Sequence, residues 1–131
     1  WTIQLIVLIV VVCVLLPKTL KPQRSDKLGI KAAGQWVGEH SHKSYPLILS
    51  GSSRNAYYAV GRHIQMSSIN GALAMAQART VDYILITYRE YKVIEKELLQ
   101  SVKEKKIEMA YKYPEKESAN RHSIFLYKCL Y

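Results

Sequence analysis

Apolar residues run unbroken from Leu5 to Leu16, and only Thr2 and Gln4 interrupt the stretch from Trp1 onward. A membrane span needs roughly 20 apolar residues at about 1.5 Å rise each. The run is shorter than that, as a span cut by the start of the sequence would be. A signal peptide is the competing reading, with a basic segment before its apolar core and a small-residue cleavage site after it. No basic residue precedes the run, and Leu16-Pro17-Lys18-Thr19-Leu20 offers no such site. Residues 1–16 are therefore expected to be a truncated transmembrane helix. Residues 17–27 then form a linker with Lys18, Lys21, Arg24 and Lys27 against Asp26 alone, interrupted by Pro17 and Pro22.

The pattern changes at residue 28. Ile30, Ala33, Trp36 and Val37 recur at helical spacing behind Ser25 as N-cap, which predicts a helix from Asp26 to about Glu39. A polar loop, His40 to Ser44, leads to the short apolar run Leu47-Ile48-Leu49-Ser50, which suits a buried strand. Asn55 to Val60 reads as a short helix stopped by Gly61, and Arg62 to Met66 as a weak strand. Asn70 is placed as the cap of a helix to about Arg79, with Leu73, Ala76 and Gln77 inward. Val81 to Ile86 is apolar on both faces and is expected at the sheet's centre. Tyr91, Ile94, Leu98 and Val102 mark another helix with a Lys/Glu outer face. From Ile107 the period is two, putting Ile107, Met109, Tyr111 and Tyr113 on one face and Glu108, Ala110 and Lys112 on the other. Residues 123–130 complete an antiparallel pair with 107–113.

Alternating helices and strands imply parallel strands joined by crossovers. The fold class expected is α/β: a mixed, mostly parallel sheet in two or three layers, with flanking helices and a C-terminal antiparallel pair. Residues 28–131 match the size of one soluble domain.

Nineteen Lys and Arg against ten Asp and Glu give a formal charge of +9. Such a balance favours anionic partners: lipid headgroups, lipid-linked phosphates or nucleic acid. The linker cations Lys18, Lys21, Arg24 and Lys27 are candidates for membrane-surface contact. Cys13 and Cys129 make neither a disulfide framework nor a zinc site.

Ser50-Gly51-Ser52-Ser53-Arg54 follows a buried strand and opens a helix. Backbone N–H groups and the hydroxyls of Ser50, Ser52 and Ser53 there suit an anion or phosphate, with Arg54 closing on it. The loop lacks both GxGxxG and the Walker lysine, so a plain strand-to-helix turn is the favoured expectation. His40 and His42 have no acidic or cysteine cluster to complete a metal site. Tyr57 and Tyr58 beside Arg62 suit stacking on a base or sugar, although packing of the short helix on the sheet is the favoured expectation. No Ser-His-Asp, Cys-His or close carboxylate pair emerges, so no catalytic residue, metal or cofactor is assigned.

Four segments, in order, resemble the C-terminal soluble domain of GT-C type glycosyltransferases that use dolichyl- or polyprenyl-phosphate sugars. They are Lys31-Ala-Ala-Gly-Gln-Trp36, Asn55-Ala-Tyr-Tyr-Ala-Val-Gly-Arg62, Val81-Asp-Tyr-Ile-Leu-Ile86, and Tyr111-Lys-Tyr-Pro114 with Ser123 to Tyr127. The resemblance implies a parent enzyme that moves a sugar from a polyprenyl-phosphate carrier to a lipid, glycan or protein acceptor. Its catalytic acids would lie upstream of this chain. The partners implied are membrane lipid, the carrier-linked sugar and the upstream membrane part, not nucleic acid. The resemblance also puts the domain on the extracytoplasmic side, against the positive-inside reading of the linker. A single-span binding or sensor domain and a small anion-binding domain are the rival readings.

Overall fold

The computed structural model describes residues 1–19, 25–78 and 80–130. Ten elements follow in order: α1 (Thr2–Thr19), α2 (Ser25–His40), β1 (Leu47–Ser50), α3 (Arg54–Ala59), β2 (Arg62–Gln65), α4 (Ile69–Gln77), β3 (Tyr83–Thr87), α5 (Tyr88–Lys103), β4 (Ile107–Tyr113) and β5 (Ile124–Cys129).

The five strands form one sheet in the order β2-β1-β3-β5-β4. β1 pairs parallel with β2 and β3, while β5 pairs antiparallel with β3 and β4. Four strands thus share one direction, and β5 alone runs against them. β3 is central, as its two apolar faces require. Tyr83 and Leu85 pack with Ala33, Val37, Ala56 and Ala59 of α2 and α3. Ile84 and Ile86 pack on the opposite face with Leu73, Ala76, Ile94 and Leu98 of α4 and α5. The domain is therefore three layers, α/β/α. Neither face of the inner strands meets water, which is why their sequences read as continuous apolar runs.

Three local expectations are corrected. Ser68, not Asn70, caps α4: its extended backbone lets its hydroxyl accept the Gly71 N–H at 3.1 Å. Gln77 is exposed rather than inward. β4 does not keep a strict period of two. Its register against β5 shifts between Met109 and Tyr111, so Ala110 is an extra residue. A bulge of this kind turns every later side chain to the other face. Ile107 therefore packs toward α4 and α5, whereas Tyr111 and Tyr113 pack toward α2 and α3. Met109, at the turnover, is exposed.

The end of α3 also differs from expectation. Val60, not Gly61, takes the left-handed conformation, at φ 52° and ψ 37°. Gly61 is needed for a different reason: a Cβ there would stand 2.6 Å from the Pro46 carbonyl oxygen. A left-handed L-residue costs about 1–2 kcal/mol. Glycine's greater freedom in the unfolded chain offsets about 0.5–1 kcal/mol of any gain from replacing it. Val60→Gly should therefore raise stability by about 1 kcal/mol, read by urea unfolding of the chain in mild detergent. A destabilised variant would show that the valine side chain contributes more to folding than its exposure indicates.

α1 is a helix in which every side chain described, residues 1–15, is exposed. Its eighteen residues span about 27 Å, less than the roughly 30 Å of a bilayer's hydrocarbon core. Among the described residues no helix is long and apolar enough to cross a membrane. The expected transmembrane helix is therefore not shown by the fold. Lys21 and Arg24 lie outside the described residues, as does the side chain of Lys18, while Lys27 is exposed at the start of α2.

Candidate functional site

β1 and β3 are neighbours, yet the helices that follow them leave on opposite faces, α3 toward α2 and α5 toward α4. In open α/β sheets the crevice at the carboxyl ends of two such strands is where ligands bind. The loop Ser50 to Arg54 forms one lip of that crevice, and Thr87 to Glu90 forms the other. A Cβ on Gly51 would stand 3.7 Å from Glu90 Oε1, which measures how closely the lips approach.

Most polar groups of the crevice are already engaged. The fully buried Ser50 hydroxyl donates to the Ser52 carbonyl at 2.7 Å and lies 3.0 Å from Asn55 Oδ1. That oxygen also accepts the Ala56 N–H at 2.8 Å. The Ser50 carbonyl takes the Met66 N–H at 3.0 Å and stands 3.1 Å from His63 Nε2. Across the crevice Thr87 and Glu90 form a capping box at the start of α5. Glu90 Oε2 accepts both the Thr87 N–H, at 2.7 Å, and its hydroxyl, at 2.8 Å. Among the four proposed ligand residues, Ser50 is thus a structural pin, Ser52 is half-buried, and Ser53 and Arg54 face solvent. Asn55 Nδ2 is buried without a partner among the described residues. Beside the exposed Ser53 and Arg54 side chains, it is a buried donor left open at the start of α3.

Sequence reasoning missed Asn55, His63 and the Thr87–Glu90 box. Thr87-x-x-Glu90 before an apolar-periodic stretch is the available sequence signal for the last. Asn55 could be picked out only once the phase of α3 was known.

The aromatic expectation is overturned. α3 packs inward through Asn55, Ala56 and Ala59, leaving Tyr57 80% exposed and Tyr58 at the surface. Tyr45, Tyr57, Tyr58, Val60 and Gly61 line an open groove of about 580 Å³. The two tyrosine rings meet edge to face, with centroids 5.5 Å apart, and Lys31 Nζ stands 5.8 Å from the Tyr58 ring centre. The cause is the closeness of α2 and α3. A Cβ on Gly34 would fall 2.5 Å from the Asn55 carbonyl oxygen, so only small side chains fit between the helices.

Elsewhere, Trp36 is stacked between His40, at 4.3 Å, and Tyr111, at 6.0 Å. No group of three or more His, Cys, Asp or Glu among the described residues is placed to hold a metal. At the opposite end of the sheet from the crevice, a pocket of about 130 Å³ borders Lys43, Asp82 and Cys129. Burial, aided by the charge of Asp82, pushes the Cys129 thiol up to about 12. It is therefore protonated at neutral pH, the wrong state for a nucleophile.

Comparison with protein-family models, curated proteins and solved structures finds no match for this chain.

Proposed function

We propose that the chain is the C-terminal extracytoplasmic part of an integral-membrane glycosyltransferase that takes its sugar from a polyprenyl-phosphate carrier. In this reading α1 is part of a membrane span, and catalysis resides upstream. The observation that carries the membrane half is α1 itself. An apolar helix with every described side chain exposed far exceeds the scattered apolar exposure tolerated in water. In this reading lipid would cover it.

Support for the transferase half comes from the resemblance. Its four segments fall on α2, on α3 and its exit turn, on the central strand with its two preceding residues, and on the β4–β5 pair. The domain's role would be to recognise and position: where a crevice hydroxyl does meet a carboxylate, Thr87 on Glu90, the pair is held as the cap of α5. In this reading Lys18, Lys21, Arg24 and Lys27 lie near the headgroup plane. Ser52, Ser53 and Arg54 with the backbone of the Ser50 turn form the low-charge anion site that a carrier phosphate would approach.

The test is sugar transfer from a radiolabelled polyprenyl-phosphate sugar. Membranes carrying the whole parent protein are compared with membranes lacking residues 25–131 and with this chain alone. The expected result is transfer by the whole protein, loss on deletion, and none by the isolated chain. Turnover by the isolated chain would contradict the division of labour. Absence of transfer by the whole protein from every such donor would favour a membrane-anchored binding domain instead.

A further inference from the structure

The groove on α3 combines three features that a water-facing surface has no reason to combine. The first is its aromatic content. Tyr45, Tyr57 and Tyr58 are all exposed around one groove, and tyrosine, with an apolar ring and a polar tip, belongs at boundaries between apolar and wet media. The second is Val60, 67% exposed and held at a positive φ. Glycine or asparagine would serve a solvent-facing turn at lower cost. Strain kept at an exposed apolar side chain points to something that the side chain touches.

The third feature is charge. Residues 40–81 contain no Asp or Glu and carry Lys43, Arg54, Arg62 and Arg79, of which Lys43 pairs with Asp82. Arg54 precedes Tyr57 and Tyr58 by three and four residues on α3, which puts it on their face. Arg62 follows Gly61 of the groove, and Lys31 reaches over the Tyr58 ring from α2. Arg54, Arg62 and Lys31 are all exposed. Glu39, exposed near the end of α2, is the nearest acid in sequence before this stretch.

We infer that the face made by Tyr45, Tyr57, Tyr58 and Val60 docks on an anionic lipid surface, its rings and valine entering the headgroup layer while Lys31, Arg54 and Arg62 pair with lipid phosphates. This rests on the reading that α1 lies in lipid. It adds that the folded domain leans on the membrane through α3 rather than hanging from the linker alone. Cations near such a surface act together, and the attraction decays over a Debye length.

The experiment uses the full chain reconstituted into vesicles, with quenching by brominated lipid as readout. The reporter is Tyr57→Trp in a chain carrying Trp1→Phe and Trp36→Phe. The control is Lys96→Trp in the same background, on the exposed side of α5. In vesicles containing phosphatidylglycerol the reporter should be quenched and the control should not. That quenching should fall to the control level in purely zwitterionic vesicles, and at about 1 M salt, where the Debye length is near 3 Å. It should also be lost when Lys31, Arg54 and Arg62 are changed to Gln, with the circular dichroism of the chain unchanged. Val60→Gly should weaken it without unfolding the domain.

A reporter quenched no more than the control in anionic vesicles would overturn the inference. So would a reporter whose emission responds to soluble oligosaccharide but not to lipid, which would make the face a glycan surface. Trp1, followed in a Trp36→Phe chain, separates the two possible failures. If Trp1 is quenched and the reporter is not, docking alone is wrong. If neither is quenched, the membrane reading fails with it.

Discussion

Replacing Ile84 by alanine should remove about 2–5 kcal/mol of stability, the range for deleting a large aliphatic side chain from a packed core. Ile84 is fully buried on the central strand, beside Leu49 of β1 and Tyr127 of β5. It lies in the cluster that joins α4 and α5 to the sheet. Strands on both sides fix its backbone, so collapse around the missing atoms is limited. Against a total stability of about 5–15 kcal/mol, such a loss leaves the domain marginal. Denaturant unfolding in detergent measures it. A change below about 0.5 kcal/mol, typical of surface positions, would contradict the placement of the core.

The second large effect is expected at Asp82, just ahead of β3. Its Oδ2 accepts the Leu47 N–H at 2.8 Å, and its Oδ1 pairs with Lys43. Its own carbonyl receives the Cys129 N–H at 2.9 Å. Side chain and backbone together tie the start of β1, the loop before it and the end of β5 to the central strand. Lys43 is largely exposed, so the ion pair itself contributes little. The main loss on Asp82→Ala comes from leaving the Leu47 amide without its acceptor, about 1–3 kcal/mol. Asp82→Asn, which keeps an oxygen for that amide, should recover most of it. Equal losses in the two variants would show that the charge, not the hydrogen bond, matters.

β3 was legible in the sequence because its burial is two-sided, and only a central strand carries apolar residues at every position from Tyr83 to Ile86. Helices α2 and α5 were legible through their periodic inner faces. The β4 bulge was not, because Ala110 fits either face and nothing local marks it as extra. The orientation of Tyr57 and Tyr58 is not legible in the sequence for a related reason. Large aromatic rings are ordinarily assigned inward, but here Gly34 brings α2 so close that α3 buries alanines and turns its tyrosines out. Ser50 looked like a ligand-binding hydroxyl in sequence. Its engagement with Ser52 and Asn55 depends on how the turn closes. The role of Asp82 depends on Leu47, thirty-five positions away in the chain, and no local pattern reveals it.

The membrane placement of α1 underlies both the proposed function and the docking face, and Trp1 offers a direct readout of it. Trp1 opens the apolar helix and is fully exposed, whereas Trp36 is stacked within the domain between His40 and Tyr111. In vesicles carrying brominated lipid, Trp1 emission in a Trp36→Phe chain should be strongly quenched, while Trp36 emission in a Trp1→Phe chain should be little changed. Unquenched emission from Trp1 would place α1 outside lipid and contradict the membrane reading at its base.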